Sequence, residues 1–187
     1  MPSMNLCTPE MVKTYLGLTG STYDAALDAL IPAASERIER ACRRAFGSAT
    51  LTEYHDGGHD RVLLGRRPAT AVNEVHDDPR GQFPDASVVP AAEYTLYPEM
   101  GLLMLRSGRF ARGVRSVRVT YSGGYAEPPA DLAQACVMLT AAWFHRGREA
   151  ADGVAGRTVE RMSQRFDAEP APKAVWQIIE RYREPVA

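Results

Sequence analysis

Residues 54–60 read Tyr-His-Asp-Gly-Gly-His-Asp. Two imidazoles four positions apart, each with a carboxylate beside it, are the residue types that ligate zinc, iron or manganese. A metal-dependent enzyme working through His55 and His59 is therefore the one catalytic reading the chain offers. Strand geometry weighs against it. If Gly57 and Gly58 are the central pair of a two-residue hairpin turn, Asp56 lies opposite His59, and His55 opposite Asp60. Successive residues of a strand alternate faces, so the two imidazoles leave opposite sides of the ribbon. A zinc site also needs three or four ligands, and the remaining histidines, His76 and His145, lie in other elements. The expectation is a hairpin turn with no metal.

The other constellations read as architecture. Asp77-Asp78 precede Pro79-Arg80-Gly81 and are expected to form a turn. Gly123-Gly124 lie in SGGYAEPP, which has neither the lysine of a phosphate-binding loop nor a GxGxxG spacing. Cys7, Cys42 and Cys136 are an odd, widely spaced set, which suits reduced thiols better than a disulfide framework. Cys42 and Cys136 fall on apolar helix faces, where cysteine behaves as a small hydrophobe. No serine, cysteine or lysine stands in a nucleophile context. Neither a catalytic residue nor a cofactor is expected, and that points to a structural role. Arg37, Arg40, Arg43 and Arg44 could grip nucleic-acid phosphates, so a nucleic-acid-binding module is a second alternative. Glu36 and Glu39, each four residues before an arginine, favour a solvated or subunit-facing helix side instead.

The elements carrying these residues are legible from periodicity. Thr8-Pro9-Glu10 is a helix start, with a hydroxyl cap and then proline, and the helix spans 8–17. A second start at Ser21-Thr22 opens a helix over 22–46. Its apolar residues Leu27, Leu30, Ile31, Ala34, Ile38, Ala41 and Cys42 recur at three and four. Pro32 is expected to kink or divide it. Between residues 49 and 125 the period shortens to runs such as TLTEYHD, RVLL, AVNEVH, EYTLY, GLLML and SVRVTY. Turn residues separate them, as an antiparallel region of hairpins requires. Pro129-Ala130-Asp131 opens a helix over 129–146 that is apolar almost all round, so its own domain or neighbouring subunits must surround it. Residues 157–166, RTVERMSQRF, fit helix or strand equally well. A last helix over 172–184 presents Val175, Trp176, Ile179 and Tyr182. The fold class is α+β: a small helical bundle with an inserted antiparallel β-hairpin region.

Whole-chain properties narrow the function. The 187 residues suit one domain of ordinary size with a terminal extension. Lys and Arg number 22 against 23 acids, a net charge of −1. Tight binding through phosphates draws on a basic surplus, so this balance argues against a DNA-gripping protein. The N-terminal MPSMNLCTPE has the marks of no export signal. The longest nearly apolar run, Ala135 to Phe144, is about half of what a membrane span needs. A soluble intracellular protein is expected, with no membrane partner.

Four stretches, taken in order, resemble the head–tail connector (adaptor) proteins of tailed phages and prophages, the gp6-like and gp8-like connector families. They are TPEMVKTYLGL with DAALDALIPAASERIERACRRAF; EYHDGGHDRVLLGRRPATAVNEV; EYTLYPEMGLLML; and VRVTYSGGYAEPPADLAQACVMLTAAWFHRGREA. The resemblance covers residues 8–150. It implies a connector domain over 1–150 and a C-terminal extension over 151–187. It also implies a structural virion component in the particle neck, assembled in the host cytoplasm, without known catalytic residues. Such a protein forms a homo-oligomeric ring of about twelve subunits. The ring sits under the portal protein and joins it to a tail or head-completion protein, with DNA only as a passenger in the channel. By the same analogy the terminal helix docks on the portal. Trp176, Ile179 and Tyr182, with Arg37, Arg40 and Arg44, are then the candidate portal or subunit interface.

Overall fold

The computed structural model describes residues 4–152 and 172–184, and the ambiguous stretch 157–166 lies outside the described residues. Two compact units divide the chain. One joins Met1–Ala45 with Pro128–Ala187, and the other is Phe46–Glu127. The α+β class is as expected, with the strands inserted between helices.

In the helical unit, Pro9–Leu16 forms α1, capped by Thr8, whose Oγ1 accepts the Met11 N–H at 3.4 Å. Asp24–Cys42 forms α2. Its start differs from the sequence expectation: the Ser21-Thr22 hydroxyls do not cap it, and Asp24 in its first turn pairs with Lys13 of α1. Nor does Pro32 divide it. Pro32 and Asp28 are both exposed, so water can serve the Asp28 carbonyl that loses its helical partner. Leu27, Ile31, Ala34, Ile38 and Cys42 form the buried stripe that the spacing predicts, while Leu30 and Ala41 are half-buried.

Ala130–Asp152 forms α3 and Lys173–Tyr182 forms α4. Helices α1, α2 and α4 all pack on α3, and Leu132, Cys136, Leu139 and Trp143 are nearly inaccessible. Its near-continuous apolar surface is thus covered by elements of the same unit. Val175 and Ile179 fasten α4, and the Tyr182 hydroxyl donates to Asp131 Oδ1 at 2.7 Å in the first turn of α3. No helix of the described residues is long and apolar enough to cross a membrane.

The β unit holds six strands: β1 (Ala49–His55), β2 (Arg61–Leu63), β3 (Ala69–Asp77), β4 (Tyr94–Tyr97), β5 (Leu102–Leu105) and β6 (Val117–Gly123). They form two three-stranded antiparallel sheets, ordered β1-β6-β3 and β2-β5-β4. The hairpin expected in EYTLYPEMGLLML is present, running from Tyr94 opposite Leu105 to Tyr97 opposite Leu102. The hairpin expected at Gly57-Gly58 is not. Strand β1 pairs with β6 over seven residues, placing His55 opposite Val117, whereas β2 pairs with β5 in the other sheet. The reason is burial. Strand β6 alternates perfectly, with Val117, Val119, Tyr121 and Gly123 inward, and it offers β1 a full-length partner. A β2 of three residues cannot.

Gly57 and Gly58 instead carry the chain from one sheet to the other. Gly57 N–H donates to Gly113 O and Gly58 N–H to Phe110 O, both at 2.9 Å. A Cβ on Gly57 would lie 1.9 Å from the Ala111 carbonyl oxygen, so only glycine admits the 110–113 loop here. Strand β3 pairs with the other edge of β6 with register shifts near Ala69 and Val72, which breaks its inward–outward alternation. Leu64, Val75, Leu103, Phe110, Val117, Val119 and Tyr121 fill one core drawn from both sheets.

Candidate functional site

His55 and His59 have separate surroundings. His55, on the last residue of β1, faces the same side as Glu53, and its Nε2 stands 3.4 Å from Glu53 Oε2, close enough for charge but without hydrogen-bond geometry. His59 is exposed and lines a shallow depression with Asp60, Arg61, Leu63 and Arg109, while its backbone carbonyl accepts the Phe110 N–H. The hairpin that would have sent the two rings to opposite faces does not exist: His55 ends β1, and His59 lies in the connection to β2 of the other sheet. Among the described residues no group of three or more His, Cys, Asp or Glu side chains is placed to hold a metal ion.

The strongest polar cluster of the β unit was invisible in the sequence. Tyr121, fully buried on β6, donates to Glu53 Oε1 at 2.6 Å and accepts the Arg66 N–H at 2.7 Å. Glu53 Oε2 takes the Gly65 N–H at 3.0 Å, and Arg66 Nη1 donates to Gly47 O at 2.5 Å. Burial pushes the Glu53 carboxyl up, but the His55 imidazole, the Tyr121 hydroxyl and the Gly65 N–H outweigh it and hold the carboxyl below its ordinary value. Burial and the Glu53 carboxylate push the Tyr121 phenol up. These hydrogen bonds hold β1, the 64–67 turn and β6 together. A second cluster lies on β3 and β6, where Arg118 Nε is buried without a hydrogen-bond partner. His76 Nδ1 bonds Ser87 Oγ at 2.9 Å, whose own proton goes to Pro84 O, and Arg118 Nη2 donates to His76 Nε2 at 2.6 Å.

Asp77 and Asp78 are loop formers, as their neighbours implied. Both Asp77 oxygens accept the Ala111 N–H, while Asp78 accepts the N–H groups of Arg80, Gln82 and Phe83 at 2.8–2.9 Å. The Arg80 and Phe83 N–H groups hold the Asp78 carboxyl below its ordinary value. A lowered folded pKa adds stability above the unfolded aspartate pKa of about 3.9 and loses it as pH falls through the folded value. An Asp78→Asn variant is therefore expected to unfold earlier than the parent at pH 7. Its deficit should shrink on acidification below about pH 4, as read from urea midpoints against pH.

The candidate interface residues all belong to the helical unit. Ile179 is 1% exposed and sits in the core of that unit, so it fastens α4 rather than facing outward. Tyr182 is half-buried and committed through its hydroxyl to Asp131, and Trp176 is half-buried. Arg37 and Arg44 are half-buried; Arg40 is exposed and bonds Glu36 at 2.6 Å, the expected helical pair. Arg43 leaves the helix in the left-handed region at φ 58°, which takes it out of register with Glu39. The ends of α2 and α4 lie side by side: Glu184 N–H donates to Cys42 O at 3.0 Å, and Arg183 Nε to Ala41 O at 3.3 Å. Near this junction Arg40 pairs with Glu36 and Arg183 with Glu180, while Arg181 Nη1 lies 3.9 Å from Asp131 Oδ2 of α3. The face is mixed in sign, which suits a complementary protein surface better than a phosphate backbone.

Comparison with known proteins gives the chain a context. A model of the head completion protein family matches residues 5–185. No curated protein matches. Among solved structures, the neck of a native GTA particle, computed with C12 symmetry, contains a chain with 21% identity and a TM-score of 0.60, covering 95% of this chain and 88% of that one. The neck of an empty GTA particle, computed with C6 symmetry, gives 22% identity and a TM-score of 0.61 over 100% of this chain and 94% of that one. The virion of a native gene transfer agent particle gives 20% identity and a TM-score of 0.61, with the same coverage. At these identities the likeness is one of fold.

Proposed function

We infer the role of this chain from one premise: the chain belongs to the head completion protein family. It is a structural protein of a phage-like particle and occupies the neck. The observation that carries this reading is the family match over nearly the whole chain, seconded by neck proteins of the same fold in particles treated with six-fold and twelve-fold symmetry. In the assembled neck, about twelve copies close a ring beneath the portal protein and join it to a tail or further head-completion protein. DNA passes through the middle as cargo. A net charge of −1 suits a wall that does not hold its cargo by phosphate contacts.

Residues 1–150 supply the connector body and 151–187 the extension that meets the portal. The mixed-charge face of α2 and α4 is the contact surface, with Trp176 as its aromatic anchor and Arg37, Arg40 and Arg44 setting register. Tyr182 and Ile179 act behind it by holding α4 in place.

Electron microscopy and light scattering of the purified chain, alone and co-expressed with its portal, test this. Closed rings are expected in at least one condition. Trp176→Ala combined with Arg40→Glu should weaken ring or portal association at least tenfold while leaving the circular dichroism of the free chain unchanged. A chain that forms no closed oligomer in either condition overturns the ring. Steeply salt-dependent duplex binding that disappears with Arg37, Arg40 and Arg44 would move the reading to a nucleic-acid module.

A further inference from the structure

The segment leading into α1 carries Cys7, and α3 carries Cys136, 129 positions later. Their sulfurs lie 3.2 Å apart. Both are buried, at 4% and 0% exposure, so the approach is built into the fold rather than made by surface side chains. The site has a third wall in α2. Ser35 Oγ lies 3.5 Å from Cys136 Sγ, accepts the Leu6 N–H at 2.9 Å and gives its own proton to Ile31 O. Leu6, fully buried, and this hydrogen bond pin the backbone next to Cys7, so the arm is held in the position that brings the sulfurs together. Cys42 differs. Its sulfur has only a weak contact, 3.8 Å from the Ile179 carbonyl. The hydrogen bond from Cys7 holds the Cys136 thiol below its ordinary value, while the same bond and burial push the Cys7 thiol up, so of the two sulfurs Cys136 is the one that ionises first.

We propose that Cys7 and Cys136 form a covalent clamp: an oxidant of the peroxide class joins them in a disulfide that ties the N-terminal arm to α3. One thiolate attacks the peroxide, the O–O bond breaks, and a sulfenic acid forms with release of water. The second sulfur attacks that sulfenyl sulfur, the S–S bond forms, and the hydroxyl departs with the remaining thiol proton as a second water. One peroxide and two thiols thus give one disulfide and two waters. Local opening of the arm admits the oxidant, so the rate follows the stability of the arm rather than that of the whole chain. The bond then prevents that opening. For a component of a released particle, closure would follow exit into an oxidising medium; this consequence alone rests on the neck reading.

The experiment uses the full chain, reduced, freed of reductant and treated with a small excess of hydrogen peroxide. Thiol titration under denaturing conditions should fall from three free cysteines to Cys42 alone. Non-reducing peptide mapping should show the Cys7 and Cys136 peptides joined, lighter by two hydrogen atoms, in a monomeric chain. The thermal midpoint should rise by about 5–10 °C and return on addition of a phosphine reductant. Cys42→Ser should retain all of this, and Cys7→Ser should abolish it while preserving the helical circular dichroism. Because Cys7 lies outside the helices, it carries the test even if Cys136→Ser unfolds. Three thiols still titratable after peroxide, oxidation of Cys7 or Cys136 only to sulfinic or sulfonic acid, or a bond joining two copies through Cys42 would each overturn the proposal.

Discussion

A Gly124→Ala variant is expected to lose about 3–4 kcal/mol of stability, the sum of left-handed backbone strain and a backbone collision. Gly124 has φ 101°, a conformation that L side chains rarely adopt. Its added Cβ would also lie 2.3 Å from Gly47 O and 2.8 Å from Phe46 O. Both neighbours are main chain, so a side-chain rotation cannot relieve the clash. The strands would have to part at the point where Tyr125 N–H donates to Phe46 O at 2.7 Å and Gly124 N–H to Pro68 O at 2.8 Å. For a chain of this size the loss corresponds to a drop in thermal midpoint of roughly 8–12 °C. Gly81→Ala supplies the control: it has φ 68° and nothing within 4 Å of the added Cβ. It carries backbone strain alone, about 1–2 kcal/mol. Thermal scans of the two variants separate the effects, and equal losses would remove the collision from the account.

This glycine pair illustrates what a sequence reveals and what it hides. SGGY is identifiable as something other than a phosphate cradle, because the lysine and spacing of such loops are missing. That its second glycine exists to let residues 46 and 47 pass depends on a contact more than seventy positions away, for which no local pattern stands. Elements whose evidence is local were legible. Helix α2 follows from Leu27, Ile31, Ala34 and Ile38, and the β4–β5 hairpin from its turn residues. The error at Gly57-Gly58 has the same origin as the success at Pro98–Gly101. Both look like local turns, but β1 found its partner in β6, across most of the inserted region, because β6 could bury a full alternating face and β2 could not. The thiol pair Cys7–Cys136 was likewise hidden: each cysteine reads as a small hydrophobe until the fold brings them together.

The candidate interface divides along the same line. Trp176, Ile179 and Tyr182 recur at three residues and so mark one face of α4, but periodicity alone cannot say whether that face turns inward or outward. Burial separates them: Ile179 inward, Tyr182 tied to Asp131, Trp176 partly open. Under the proposed role Trp176 would be the aromatic anchor, and Ile179 and Tyr182 would hold α4 rigid behind it.

Tyr121→Phe is expected to cost about 2–3 kcal/mol at pH 7, the price of leaving buried polar partners unmet. The deleted hydroxyl serves two groups, Glu53 Oε1 and the Arg66 N–H, and neither gains a substitute from phenylalanine. Because ring volume is preserved and Tyr121 is fully buried, the loss reports hydrogen bonding rather than a cavity. Acid titration tests the coupling further. Glu53 is held below its ordinary value, so its contribution is present above the unfolded glutamate pKa of about 4.3 and disappears as pH falls through the folded value. Removing the Tyr121 hydroxyl takes away one of the groups holding it there, so the variant should show a shallower fall in stability below about pH 4 than the parent. Glu53→Gln should flatten the same limb. In a double-mutant cycle the two changes should be non-additive by about 1–2 kcal/mol, since both act on the same 2.6 Å bond, which Tyr121→Phe removes and Glu53→Gln strips of its charge. Strict additivity would mean that β1 and β6 are held by their ladder alone and that the cluster is incidental to it.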